Sequence, residues 1–96
     1  MPQRRDLPAT IRHAIRDARK MKIAYEDEQG RRTGRVIQLF AVAYYVEATL
    51  VCAWCELRAG IRHFRTDRIV SAEMLDERFT IPEAVIAQWA AEREEH

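Results

Sequence analysis

Residues 53–69 read AWCELRAGIRHFRTDRI, a stretch best read as two strands folded about a turn. Its first half ends a run from Thr49 to Leu57 that is rich in Leu50, Val51, Cys52, Trp54 and Cys55. Apolar residues at successive positions, bulky ones among them, suit a strand covered on both faces. Arg58-Ala59-Gly60 supplies the turn, and the next strand runs from Ile61 to about Thr66. Arg58, Arg62, Arg65 and Arg68 recur through the second half with Phe64 among them. Guanidinium groups bind phosphate and carboxylate in a two-pronged fashion, and an aromatic neighbour offers a stacking surface, so this face is a candidate anion site. Side chains alternate along a strand, which sends Arg62 and Arg65 to opposite faces and limits any one site to two or three of these arginines. The same residues also have a structural reading, in which Arg65 or Arg68 pairs with Asp67 or Glu56 to hold the fold together.

Upstream of this block, Thr33 to Tyr45 forms one long strand that must bend strongly, with Gly34 marking a bulge or a close backbone approach. It follows a turn at Glu28-Gln29-Gly30-Arg31 and a first strand in which Met21, Ile23 and Tyr25 alternate with polar or small residues. Before that, Ile11, Ala14, Ile15 and Ala18 fall at helical spacing behind Pro8, which predicts an amphipathic helix over about 8–20. Downstream, Ile69 to Leu75 reads as a fifth strand. A second helix over about 82–95 starts at Pro82 and gathers Val85, Ile86, Trp89 and Ala90 on one side. Five short consecutive strands between two helices predict a mainly β, α+β domain. Its centre is a small SH3-like (Sm-like) barrel over about 21–76, and residues 1–96 form a single unit.

Composition agrees with one modest core: 96 residues, 48% hydrophobic and 32% charged. Glu47 and Glu56 interrupt the apolar runs well short of a membrane span, and MPQRRDLP lacks the apolar segment of a secretory leader, so a cytoplasmic location is expected. The net charge of +1 hides a division: residues 1–68 hold 14 Lys/Arg against 8 Asp/Glu, residues 69–96 hold 2 against 7. Such asymmetry suits a basic surface for an anionic partner, and it equally suits ordinary surface charge.

Catalytic chemistry finds little material. Ser71 is the only serine and sits in a strand without a nucleophile-elbow context. Gly30, Gly34 and Gly60 stand too far apart for a phosphate loop. Cys52-Ala53-Trp54-Cys55 has redox or zinc spacing, yet in a strand its cysteines point to opposite faces and no second pair completes a metal site. They are expected to be buried thiols. His13, His63 and His96 show no metal-ligand spacing, and Asp27-Glu28 falls in a turn where carboxylates are solvated. No catalytic residue, cofactor or metal ligand is expected.

The segments IRHAIRDARKMKIAY, GRRTGRVIQL and AWCELRAGIRHFRTDRI, in this order and spacing, resemble the WYL domain of bacterial transcriptional regulators over roughly residues 9–76. The resemblance implies an Sm-like barrel behind a helix, a sensing role, and a basic pocket or groove for nucleic acid or another anionic effector. Arg35 matches the arginine of the family's second-strand motif, and Phe64, Arg65, Asp67, Arg68 and Ile69 match its fourth-strand block. Thr49-Leu50-Val51 stands where the family carries Trp-Tyr-Leu, and Gln38 where proline is common. WYL domains usually follow a winged helix-turn-helix, for which 96 residues leave no room, so this chain alone is not expected to read DNA sequence.

The expected function is a non-enzymatic sensor that binds a nucleotide, a single-stranded nucleic acid or a phosphorylated metabolite. Its ligand would be held by Arg35, Arg65 and Arg68, with Arg62, Phe64 and Arg58 contributing. Binding would then shift how the domain pairs with itself or with a separate DNA-binding partner. The alternative is a protein-interaction or dimerisation module that has lost its ligand, with the tail helix around Trp89 as its contact.

Overall fold

The computed structural model describes residues 7–94. The elements run α1 (Leu7–Asp17), β1 (Arg19–Glu26), β2 (Arg32–Tyr44), β3 (Thr49–Cys55), β4 (Gly60–Arg65), a 3-10 turn (Thr66–Arg68), β5 (Ile69–Arg78) and α2 (Glu83–Glu94). Five strands and two flanking helices match the expectation.

α1 buries Leu7, Ile11 and Ala14, the apolar stripe of the sequence pattern. It ends earlier than expected. Ala18 takes a left-handed conformation (φ 52), its N–H bonds the Ile15 carbonyl at 3.3 Å, and Arg19 already belongs to β1. Alanine thus fills a position that usually falls to glycine.

The strands form one antiparallel sheet in the order β4-β3-β2-β1-β5. Its inner face carries Met21 and Ile23 from β1, Ile37 and Leu39 from β2, Val51, Ala53 and Cys55 from β3, Phe64 from β4, and Ile69 and Ala72 from β5. Leu7 and Ile11 of α1 complete this core.

The expected barrel is not closed, since β4 and β5 are the two edges of the sheet and do not pair. A side chain spans the gap instead. The Tyr25 hydroxyl of β1 accepts the backbone N–H of Arg65 at 3.2 Å, where a closed barrel would offer a strand carbonyl. The Tyr25 ring also meets Phe64 edge-on, with centroids 5.1 Å apart. Only the three-residue 3-10 turn joins the two edge strands, and it carries β5 across to pair with β1.

The strong bend expected of β2 has a definite position. The β2–β3 register runs Leu39 opposite Ala53, then Ala41 opposite Cys52, leaving Phe40 as an extra residue. Before this bulge odd-numbered residues face the core, whereas beyond it Val42 does. Phe40 turns to the outer face, where α2 lies and Trp89 meets it edge-on at 5.0 Å. The tail helix therefore seats Trp89 on its own sheet.

Lys20 fastens the outer face. Its ammonium lies 2.8 Å from Glu56 and 3.2 Å from Glu77, and Gln38 also donates to Glu56 at 3.0 Å. The ammonium and the Gln38 amide hold the Glu56 carboxyl below its usual range. Cys52 and Cys55 are both buried free thiols, with Cys55 in the core cluster; desolvation raises Cys52 above the ordinary thiol value.

Candidate anion-binding cleft

Inner-face positions near the β1–β2 and β3–β4 turns converge on a cleft of about 640 Å³. The β1–β2 register places Tyr25 opposite Thr33 and Ile23 opposite Arg35, and the β3–β4 register sets Arg62 opposite Ala53 and Phe64 opposite Val51. Arg35 and Arg62 therefore project from the same face of the sheet. Arg58 in the β3–β4 turn and Asp27 and Arg31 from the β1–β2 turn complete the rim, and His63 borders it.

The arginines divide sharply by partner. Arg31 is 3.3 Å from Asp27, whose carboxylate also accepts the backbone N–H groups of Gln29 and Arg31 and is held below its usual range mainly by these bonds. Arg65 makes a two-pronged bond to Asp67, at 3.0 and 2.8 Å, which raises the arginine's pKa further. Arg68 approaches Glu28 at 3.9 Å. By contrast, Arg35, Arg58 and Arg62 have no carboxylate within ion-pair distance among the described residues. Arg35 donates to the Thr33 hydroxyl at 3.3 Å and Arg62 to the Ile61 carbonyl at 3.2 Å, contacts that leave their positive charge uncompensated.

Of the six residues singled out in the sequence, Arg35, Arg58, Arg62 and Phe64 line this cleft, whereas Arg65 and Arg68 are not among its lining residues. Phe64 is only 5% exposed, so it serves as the cleft's floor and offers little surface for stacking. Tyr25, Thr33, Asp27 and Arg31 had no signal in the sequence that placed them here; they reach the cleft through strand register, which spacing alone does not reveal.

His63 also escaped sequence reasoning as anything beyond a structural or surface residue. It accepts a hydrogen bond at Nε2 from the Trp89 indole at 2.8 Å, and the two rings lie 6.1 Å apart. Burial, then the nearby Arg93 guanidinium, lowers its pKa, favouring the neutral ring that such an acceptor requires. Arg93 itself lies over the Trp89 ring at 4.9 Å and donates to the Tyr45 hydroxyl at 3.0 Å. Among the described residues, no cluster of His, Cys, Asp or Glu could hold a metal ion, and no helix is long and apolar enough to cross a membrane.

Comparison with known proteins gives this geometry a setting. Protein PafC of Mycobacterium leprae (strain TN) is 35% identical over 78 residues, 80% of this chain and 24% of that protein. The solved structure of proteasome accessory factor B/C (PafBC) of Arthrobacter aurescens superposes with a TM-score of 0.75 at 26% identity, covering 88% of this chain and 13% of that one. The chain thus spans about a quarter of the length of PafC. The WYL domain family model matches residues 6–74, from the start of α1 to the middle of β5, and the chain belongs to that family.

Proposed function

We propose that this chain is the effector-sensing module of a cytoplasmic transcriptional regulator, and that an anionic ligand binds in the cleft of Arg35, Arg58 and Arg62. The observation that carries the reading is the convergence of three arginines without carboxylate partners on one cleft, while Arg31 and Arg65 beside it are neutralised. Guanidinium groups held together without counter-charge repel one another, and an incoming phosphate relieves that repulsion while gaining charge-assisted hydrogen bonds. The ligand is a nucleotide, a single-stranded nucleic acid or a phosphorylated metabolite. Arg65 and Arg68 act on it indirectly, by fixing the turn between β4 and β5. The work is binding rather than catalysis, and its output is a change in pairing with another copy or with a DNA-binding partner.

A thermal-shift screen of oligothymidylates, linear and cyclic nucleotides and sugar phosphates tests this, because a ligand of the folded state raises the melting temperature. Arg35→Ala and Arg62→Ala should each weaken the binding of any hit by about 10- to 100-fold, the loss of one charge-assisted bond. Arg65→Ala should change it less than threefold or so, since that charge is already paired. Equal losses in all three variants would refute the assignment.

A second reading rests on the β2–β3 hairpin, where Tyr44 is 79% and Val46 fully exposed, close to a cleft of about 570 Å³ lined by Leu7, Ile11 and Ile15 of α1. In this reading the chain is a protein-interaction or dimerisation module. Sedimentation of Tyr44→Ser, Val46→Ser beside the unaltered chain decides it, since an unchanged association state removes the hairpin from that role.

A further inference from the structure

His63 is shared by two features described separately above. It borders the arginine cleft, and it is also the residue on which α2 hangs its indole hydrogen bond. Its side chain alternates with that of Arg62, yet on the edge strand β4 the residue lines both the arginine cleft and the cavity beside α2. Resting on the anion-binding reading of the cleft, we propose that His63 couples ligand occupancy to the docking of α2: an anion in the cleft draws a proton onto His63, and the protonated ring releases Trp89.

The hydrogen-bond inventory of imidazole sets the direction. Trp89 Nε1 can only donate, so His63 Nε2 must carry its lone pair, and the ring's proton resides on Nδ1. Protonating Nε2 places two N–H donors face to face and removes the bond. In the empty cleft, burial and the Arg93 guanidinium oppose that step. Arg93 reaches it from α2; Arg62 precedes it on β4, Arg58 stands in the adjoining turn, and Arg35 of β2 lines the same cleft. The acidic or titratable groups nearby are Glu92 on α2, Cys52 directly across on β3, and Tyr25 and Asp27 across the cleft, with Asp27 already committed to Arg31. A bound phosphodiester shifts the local balance by bringing negative charge into the cleft that His63 lines. Occupancy, proton uptake and helix release then become one linked equilibrium. Linkage requires the reverse as well: a loosened helix binds the anion more tightly.

The test uses the full chain and a thymidine pentanucleotide, whose phosphodiester charge is constant between about pH 5.5 and about pH 8. Three NMR signals are followed together: the Nε–H resonances of Arg35 and Arg62 report occupancy, the His63 ring carbons report its titration, and the Trp89 indole N–H reports its hydrogen bond. The expected result is that the oligonucleotide shifts His63 titration to higher pH and speeds exchange of the Trp89 indole proton. Affinity should also rise about five- to tenfold on acidification through this range. Trp89→Phe, which keeps the ring against Phe40 and lacks the donor, should bind severalfold more tightly than the unaltered chain at about pH 8. His63→Gln retains an acceptor for the indole and cannot titrate, so its affinity should be flat with pH and its helix indifferent to ligand. Binding seen at the arginine resonances with unmoved His63 and Trp89 signals overturns the coupling and leaves the cleft assignment standing. Absence of any arginine response overturns the coupling and removes single-stranded nucleic acid from the ligands of the cleft.

Discussion

Arg62 and Arg65 lie on opposite faces of one short strand, and their surroundings give them different work. Arg65 is locked to Asp67 and, through its backbone N–H, to Tyr25; Arg62 leans on nothing acidic. Tyr25→Phe is expected to lower stability by about 1 kcal/mol, because it removes the acceptor for the Arg65 N–H and keeps the ring on Phe64. Chemical denaturation would measure that, and an unchanged midpoint would show that water replaces the hydroxyl without loss. Phe64→Ala removes a core ring beneath the cleft and should lose about 3–5 kcal/mol in the same experiment. The sequence announced the arginines clearly. It left open which of them already had partners, because Asp27, Glu28 and Asp67 reach their targets through turn geometry that spacing does not encode.

At the scale of elements, helix and strand patterns were plainly legible: α1 from its apolar stripe, β3 from its continuous hydrophobic run, and the two buried cysteines from their neighbours. What hid was the placement of irregularities. No residue type flagged the bulge at Phe40, and α1 stops at an alanine where glycine would have given a signal. Ala18→Gly should therefore stabilise the protein by about 0.5–1 kcal/mol, relieving the left-handed alanine at a position outside the helix proper. Thermal melts would show it, and a decrease in melting temperature would mean that the alanine methyl makes contacts that outweigh its strain. Barrel closure was also misjudged from sequence. Strand count and order suggested it, whereas the edge strand β4 is tied to β1, not to the other edge, through a tyrosine hydroxyl.

For the molecule as a whole, the division between a basic first two-thirds and an acidic remainder has its counterpart in the fold. The cleft arginines come from β2, β4 and the β3–β4 turn, and Glu73, Asp76 and Glu77 lie together on β5 at the far edge of the sheet. Binding of a single-stranded oligonucleotide through Arg35, Arg58 and Arg62 should follow salt with a log-log slope of about −2, three phosphate contacts on a single strand. A slope near zero would exclude the phosphate-based mode. Acid should act in a set order. His63 has a lowered pKa, so its contribution is complete above its ordinary value of 6.5 and fades as pH falls through the lower folded value. Glu56, also lowered, contributes above 4.5 and fades at more acid pH. Loss at His63 begins below 6.5 and loss at Glu56 only below 4.5. The Trp89 signal should therefore start to change at higher pH than the circular dichroism of the sheet, and onset at the same pH would contradict that order.

The bulge at Phe40 also sets how the chain tolerates changes in length. Deleting Phe40 would leave Leu39 directly followed by Ala41, the regular two-residue alternation that the β2–β3 ladder otherwise keeps, so Ile37, Leu39 and Val42 could all retain their inward positions. The deletion would instead remove the seat of Trp89. A one-residue loss that most strands could not absorb would here spare the sheet and weaken the hold on the helix, leaving it to His63 and Tyr45. The ladder can thus lose a residue without losing its register, while the tail must keep Phe40, as well as His63, if Trp89 is to hold its place.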